Sequence, residues 1–418
     1  MIYKIKYEYL LLFIALFSIL LLNIIFNLYE QKNLCVDCEN YLESAYLFYK
    51  TFDVHYYRPL GIALLYGLPI ALGFENYSDI YIFIILYNIF FYLLIILLFF
   101  SISTYLFNRK KSFFLSLILI SYFGISLHIF ELLSEIPFLF FILFAFYHLT
   151  LYYKKNNINS LYFSLAILFF SSLIRPGILF FVFGILLFYF HTLLKTFTLK
   201  RFLPILFSFS LIFFQLIKMK NQYGDYTISY IDAVTYYNYL GSKALCLKEN
   251  KILNQNTNKR AIYIYKQTFH EQKKIAYKDF WNQIKNNKYY LIRAYIDDIE
   301  ENTKTGTSYL KFLKNINNSF FFPINIKIIS EITEWQNKLT TLFGVLLSLY
   351  FILTFKKQDS LTLIFTCYFI YIFFVSGISS TQGDRFHIVF YPIIILLFSK
   401  FSEIYNTKKA VLNKNSLK

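Results

Sequence analysis

Ten stretches of the chain stay nearly free of charge for about the 17 to 25 residues that a helix needs to cross hydrocarbon: 9–29, 80–107, 112–130, 136–153, 158–174, 176–194, 202–217, 339–355, 360–377 and 386–399. Inside lipid no water pairs with backbone N–H and C=O groups, so such a run must close its own hydrogen bonds as a helix. The pattern predicts an all-α polytopic membrane protein with about ten transmembrane helices. Composition agrees: 57% of the residues are hydrophobic and 16% charged, more apolar surface than a soluble fold of 418 residues buries. The 39 Tyr and 52 Phe then read as lipid-facing and interfacial side chains, which argues against a nucleic-acid platform.

Charge sets the orientation. Lys4 and Lys6; Arg109, Lys110 and Lys111; Lys154 and Lys155; Lys195, Lys200 and Arg201; Lys356 and Lys357; and Lys400, Lys408, Lys409, Lys414 and Lys418 all fall on one side if the N-terminus is cytoplasmic. The net charge of +17 therefore reports topology and not an acidic partner. The stretch 59–74 is also apolar, but as a span it would reverse every later cluster. With 16 residues and prolines at 59 and 69, it reads as an interfacial or re-entrant helix. The first apolar segment is longer than a signal-peptide core and lacks a small-residue cleavage site before Glu30 and Gln31, so it is expected to be retained.

Four regions are expected from this. Residues 1–217 form a transmembrane core with a first outer loop at 30–58 and the interfacial segment 59–74. Residues 218–337 form an extracytoplasmic segment, 338–400 the C-terminal transmembrane helices, and 401–418 a basic cytoplasmic tail. In the outer segment Tyr265, Phe269, Ala276, Phe280 and Ile284, and then Ile292, Tyr295, Ile296 and Ile299, keep a helical period. An acidic run, Asp297, Asp298, Glu300 and Glu301, follows before Gly306. A mostly helical cap over the outer face is expected.

Only seven of the 41 basic residues are arginine, and three of them, Arg58, Arg175 and Arg385, fall at the predicted outer face. A guanidinium grips phosphate through two N–H groups where an ammonium is a point charge, so three arginines on one side point to an anionic ligand. Each also fits a snorkelling anchor to lipid headgroups. Asp37 lies on the same side, at the first turn of a helix carrying Tyr41, Ala45 and Phe48 on one face, where the helix dipole alone would account for a carboxylate. Glu131 and Glu135, one turn apart at the outer mouth of two helices, are costly near hydrocarbon unless hydrated or paired, which predicts a polar cavity. Glu135 suits either orienting the arginines or an acceptor, or capping the helix that begins at Pro137.

Several motifs occur in order along the chain: Asp37-x-x-x-Tyr41-Leu-x-x-Ala45, Tyr57-Arg58-Pro59-x-Gly61, Ser134-Glu135-Ile136-Pro137, Ile174-Arg175-Pro176-Gly177 and Asp384-Arg385-Phe386-His387 before Tyr391-Pro392. Together they resemble the GT-C superfamily of membrane glycosyltransferases, of the protein mannosyltransferase and aminoarabinose transferase types. The resemblance is best over residues 1–217 and faint at Tyr223–Ser229. It departs from the family where Cys38 separates Asp37 from Glu39, since two adjacent acids are frequent there. It implies a GT-C-like bundle, a polyprenyl-phosphate-linked sugar donor, a glycan, lipid or protein acceptor, and action at the outer face of a bacterial cytoplasmic membrane.

Such a transfer needs a carboxylate to take the proton of the acceptor hydroxyl and cations to stabilise the leaving phosphate. Asp37 is the candidate base, with Glu39 as its alternative; Arg58, Arg175 and Arg385 are the candidate clamp. Glu135, Tyr41, His55 and His387 are further candidates for substrate contact. No obligatory cofactor is expected, although a divalent ion bridging Asp37, Glu39 and phosphate is compatible with the residues. Cys35 and Cys38 suit a local disulfide or two free thiols, and with Cys246 and Cys367 far away no zinc site is expected. No phosphate-loop, dinucleotide or serine-triad motif is present. Two other functions share these features: a lipid-linked glycan polymerase or ligase, and a lipid-linked sugar flippase, which the nearly charge-free spans disfavour.

Overall fold

Every apolar stretch folds as a helix in the computed structural model, which describes residues 6–31, 37–254, 257–380 and 382–415, with the backbone alone at 235, 236 and 408–415. After α1 (Tyr7–Phe26), the first outer loop forms α2 (Cys38–Thr51), and the interfacial stretch forms α3 (Leu60–Tyr66) and α4 (Leu68–Ala71), which break at Gly67 ahead of Pro69. The membrane core continues with α5 (Tyr77–Leu106), α6 (Arg109–Ile120), α7 (Phe123–Leu127), α8 (Glu135–Lys155), α9 (Ile158–Ser172), α10 (Leu179–Lys195) and α11 (Leu199–Tyr223). The segment expected to lie outside the membrane contains α12 (Leu240–Lys248), α13 (Lys259–Tyr265), α14 (Phe269–Asn286) and α15 (Lys288–Lys304). The chain then returns through α16 (Phe322–Leu353), α17 (Ser360–Ser376) and α18 (Tyr391–Asn415). There is no strand among the described residues.

Six of the described helices are long and apolar enough to cross a membrane: α1, α5, α8, Pro176–Lys195, α11 and α16. The segments 109–120 and 123–130, bent by 60°, make a seventh if they form one span. α9 and α17 are apolar but only 15 and 17 residues long. The exterior of these helices suits lipid. On α10, Phe180, Leu187, Phe188 and Leu194 are exposed while Val182, Ile185 and Tyr189 pack inward.

Two expectations from the sequence shift. α16 begins at Phe322, so the expected boundary at 338 falls inside one helix of 32 residues; its charged half, Lys327, Glu331, Glu334 and Lys338, extends the apolar half outward instead of forming a loop. α15 exists as expected, but Ile292 and Ile296 are exposed and the buried stripe is Leu291, Ala294, Asp298 and Asn302. Polar bonding rotates the helix: Asp298 takes Lys243 Nζ at 2.5 Å, and Asn302 Nδ2 donates to the carbonyls of Ser376 and Ser379 at 2.9 and 2.7 Å. Apolar periodicity alone does not reveal a face that is buried through amides.

The chain between α7 and α8 is largely irregular, and its carbonyls need partners at membrane depth. Asn88, fully buried in the middle of α5, donates Nδ2 to the carbonyls of Ile129 and Glu131 at 3.0 and 3.1 Å. Tyr66 donates to the Leu133 carbonyl at 2.6 Å and Tyr81 to that of Phe130 at 3.2 Å. Gly61 seats α3 on the end of α9: its N–H bonds the Leu173 carbonyl at 2.9 Å, and a Cβ there would lie 2.7 Å from that oxygen. Asn88→Leu leaves two buried carbonyls without this donor and is expected to cost about 2–4 kcal/mol, read as a lower unfolding midpoint in detergent. An unchanged midpoint would mean that the break does not depend on Asn88.

Candidate functional site

Three chain breaks meet at one end of the helical core, and each presents one arginine. Arg58 ends the loop between α2 and α3, where His55 holds it in place. Nδ1 of His55 accepts the N–H groups of Tyr57 and Arg58 at 3.0 and 3.1 Å, so its proton sits on Nε2, 3.4 Å from Glu43 Oε2. Burial, and then the neighbouring Arg58 charge, push this imidazole down to about 3, so it is neutral at physiological pH. Arg175 sits between α9 and the turn that opens the next helix. Pro176 holds it extended, and its guanidinium lies 4.7 Å from the centre of the Phe386 ring. Arg385 lies in the tight turn Gly383–Phe386, where Gly383 has φ +59° and its Cα faces the Gly306 carbonyl closely enough to exclude a Cβ.

Two carboxylates bind these cations together. Asp37 offers Oδ1 to Arg58 at 2.8 Å and Oδ2 to Arg385 at 3.6 Å. Glu135, fully buried, takes Arg385 Nε at 2.8 Å and Arg175 Nη2 at 3.3 Å on the same oxygen. Asp37 precedes α2 and makes no side-chain capping bond; its oxygens go to the arginines. Glu135 likewise orients the arginines, and the first turn of α8 has no side-chain cap from Ser134. Tyr41 supports Arg58 from beneath, its ring 4.4 Å from the guanidinium carbon and its hydroxyl 3.3 Å from Ser134 Oγ. Three guanidiniums thus share two carboxylates within these ion pairs, and Arg58 Nε is buried without a hydrogen-bond partner among the described residues.

A cavity of about 840 Å³ opens over this cluster. Asp37, Tyr41, Arg58, Arg175 and Arg385 line its charged end, and Phe180, Phe183, Phe209, Phe213 and Leu216 line its apolar side. Phe180 and Phe213 are 75% and 63% exposed on the outside of the core, so the cavity reaches the surface that suits lipid. The structure therefore brings together Asp37, Tyr41, Arg58, Glu135, Arg175 and Arg385. Three other candidates stand apart. Glu39 is exposed on α2 and does not line the cavity. His55 acts on the backbone of Arg58. His387 is fully buried among Asn337 Oδ1 at 2.7 Å, Thr341 Oγ1 at 3.2 Å and Ser376 Oγ at 3.3 Å.

Sequence reasoning missed the support beneath the cluster. His128 lies between Glu131, in close contact with Nδ1, and Asp384, 3.3 Å from Nε2, and all three side chains are buried. Asp384 immediately precedes Arg385, so this contact fastens the arginine-bearing turn to the break before α8. A Cβ on Gly124 would lie 2.3 Å from Asp384 Oδ2, which explains the glycine. From the other side, Asn302 Oδ1 accepts Gln382 N–H at 2.9 Å, and Gln382 Oε1 accepts Arg385 Nη1 at 2.9 Å. An isolated His in an apolar run gives little signal of its partners, because Asp384 is 256 residues away. Among the described residues no group of three His, Cys, Asp or Glu side chains is arranged to hold a metal ion, and Asp37 and Glu135 are each engaged by guanidiniums. Cys38 is disulfide-bonded, whereas Cys35 lies outside the described residues.

A comparison with protein-family models and one with curated proteins each find no match to the chain.

Glu135→Gln removes the charge shared by two guanidiniums and is expected to lower stability by about 3–5 kcal/mol, measured by thermal unfolding in detergent. A loss below about 1 kcal/mol would show that the arginines are held without it.

Proposed function

We propose that the chain is a membrane glycosyltransferase that moves a sugar from a polyprenyl-phosphate donor to a glycan, lipid or protein acceptor at the outer face of a bacterial cytoplasmic membrane. The observation that carries this reading is one cavity whose charged end holds three guanidiniums and whose other side is apolar and opens toward the exposed face of the core. An amphiphile with an anionic headgroup matches both ends. The order of the motifs along the chain adds the resemblance to GT-C enzymes, and the ten-span bundle with a helical outer cap belongs to the same proposal.

In this reading the acceptor oxygen attacks the anomeric carbon and its proton passes to Asp37. The bond from that carbon to the phosphate oxygen breaks with its electron pair, and the phosphate leaves against Arg58, Arg175 and Arg385. Asp37 is the cavity carboxylate beside the arginines and so suited to this role, because Glu135 is fully buried beneath them and Asp232 is engaged by Lys273 and the Ala233 N–H. Bidentate contacts from guanidiniums on three separate breaks would fix the phosphate in orientation as well as charge. Glu39, away from the cavity, is not given a role.

Asp37→Asn is expected to lower transfer by at least about a hundredfold, within the usual range for loss of a general base, while membrane insertion is kept. Full activity in that variant would remove Asp37 as the base. Sidedness has its own test. A cysteine at Lys251 should react with an impermeant maleimide in intact cells, whereas one at Lys155 should react only after permeabilisation. The reverse pattern would place the cavity on the cytoplasmic side.

A further inference from the structure

The outer segment also contributes to the cavity, through one unusual helix. Ala233–Tyr239 is wound as a π-helix that runs directly into α12. Val234 and Tyr239 both line the cavity although five residues separate them. At the roughly 100° per residue of an α-helix they would point about 140° apart, whereas the i→i+5 bonding of a π-helix stacks residues five apart on one face. The cost of that winding is met by anchors on its other face: Tyr237 Oη donates to Asp279 at 3.1 Å, and Arg260 ties the Tyr237 and Asn238 carbonyls to Asp279 and Ser242. The backbone departs from ideal helix at a position where it aims Tyr239 into the cavity.

Tyr239 meets two more tyrosines there. Tyr265, from α13, donates its hydroxyl to that of Tyr239 at 2.5 Å, and Tyr57 lines the cavity next to Arg58. Because Tyr239 Oη accepts this bond, its own proton is free to donate to a ligand. Ring faces beside hydroxyls, with the polar groups of Gln382 and Ser379 in the same lining, suit a flat body with apolar C–H groups on its faces and hydroxyls on its rim. That is the description of a pyranose. Asp232, the carboxylate on this wall, is paired with Lys273 Nζ at 3.4 Å, and apart from the three arginines assigned to the phosphate the cavity lining includes, among the described residues, no cation to hold an anionic sugar.

We infer that Tyr57, Tyr239 and Tyr265 form the wall that recognises the glycosyl group of the donor, and that this group is a neutral pyranose. The inference rests on the proposed lipid-phosphate chemistry, since the sugar is bonded directly to the phosphate that the arginines would hold.

The test measures binding to the full chain in nanodiscs. The probes are undecaprenyl phosphate without sugar and its glucosyl, galactosyl, mannosyl and N-acetylglucosaminyl derivatives, together with a glucuronosyl one. At least one neutral sugar is expected to tighten binding about tenfold over the bare lipid phosphate, which is about 1.4 kcal/mol, and the glucuronosyl derivative is not. The double variant Tyr239→Ala, Tyr265→Ala should abolish that gain while binding bare undecaprenyl phosphate as the wild type does, and Y239F with Y265F should keep most of it. The inference is overturned if no neutral sugar tightens binding, if the glucuronosyl derivative binds best, if the gain survives in the alanine variant, or if that variant loses bare lipid phosphate equally. Failure of the wild-type chain to bind bare undecaprenyl phosphate would instead count against the underlying function.

Discussion

Glu135 is the group on which the rest of the site depends. A fully buried carboxylate carries a large desolvation cost unless it is paired, and here one oxygen holds guanidiniums from two chain breaks 210 residues apart in sequence. Without it, Arg175 and Arg385 would repel each other at the edge of hydrocarbon and return toward water. With it, they stand beside Arg58 and Asp37, and three guanidiniums line one end of the cavity. The buried acid is thus what allows cations to be concentrated where lipid would otherwise exclude them.

The same logic extends outward through the fold. A membrane core tolerates irregular backbone only where neighbouring groups satisfy it, and Asn88, Tyr66 and Tyr81 do this for the break before α8. The turn bearing Arg385 is held from both sides: His128 binds Asp384 from within the core, and Asn302 of α15 binds the backbone of Ser376, Ser379 and Gln382. Asn337 of α16 completes the brace by donating to the carbonyls of Asn302 and Thr305, both at 2.7 Å. Helices α15 and α16 therefore help to position the arginine turn, and a disturbance in α15 would be felt at Arg385.

Much of this was legible in the sequence because lipid imposes strict rules. Charge-free runs fell on each of the six helices long and apolar enough to span, Pro59 and Pro69 marked the short helices α3 and α4, and the scarcity of arginine singled out Arg58, Arg175 and Arg385. What was hidden depends on partners far apart in the chain or on faces buried through polar groups. The helical period in α15 was visible, yet Asp298 and Asn302 turned its buried face away from Ile292 and Ile296. His387 adjoins the arginine turn in sequence, but successive residues of a tight turn point in different directions, and it joins Asn337 and Thr341 instead. The π-helical winding at 233–239 has no simple sequence mark, so the tyrosine wall emerged only with the cavity. The extent of α16 was missed because its charged half resembles a loop in composition.

The central claim is that the arginine cluster is a receptor for a lipid-linked phosphate. An experimental structure of the protein in lipid nanodiscs, prepared with undecaprenyl phosphate, tests it most directly. The account predicts phosphate density within hydrogen-bond reach of Arg58, Arg175 and Arg385, with Asp37 beside it and the lipid chain running along Phe180, Phe183 and Phe213. Density for the lipid phosphate elsewhere on the protein, with the guanidiniums still closed on Asp37 and Glu135, would contradict it.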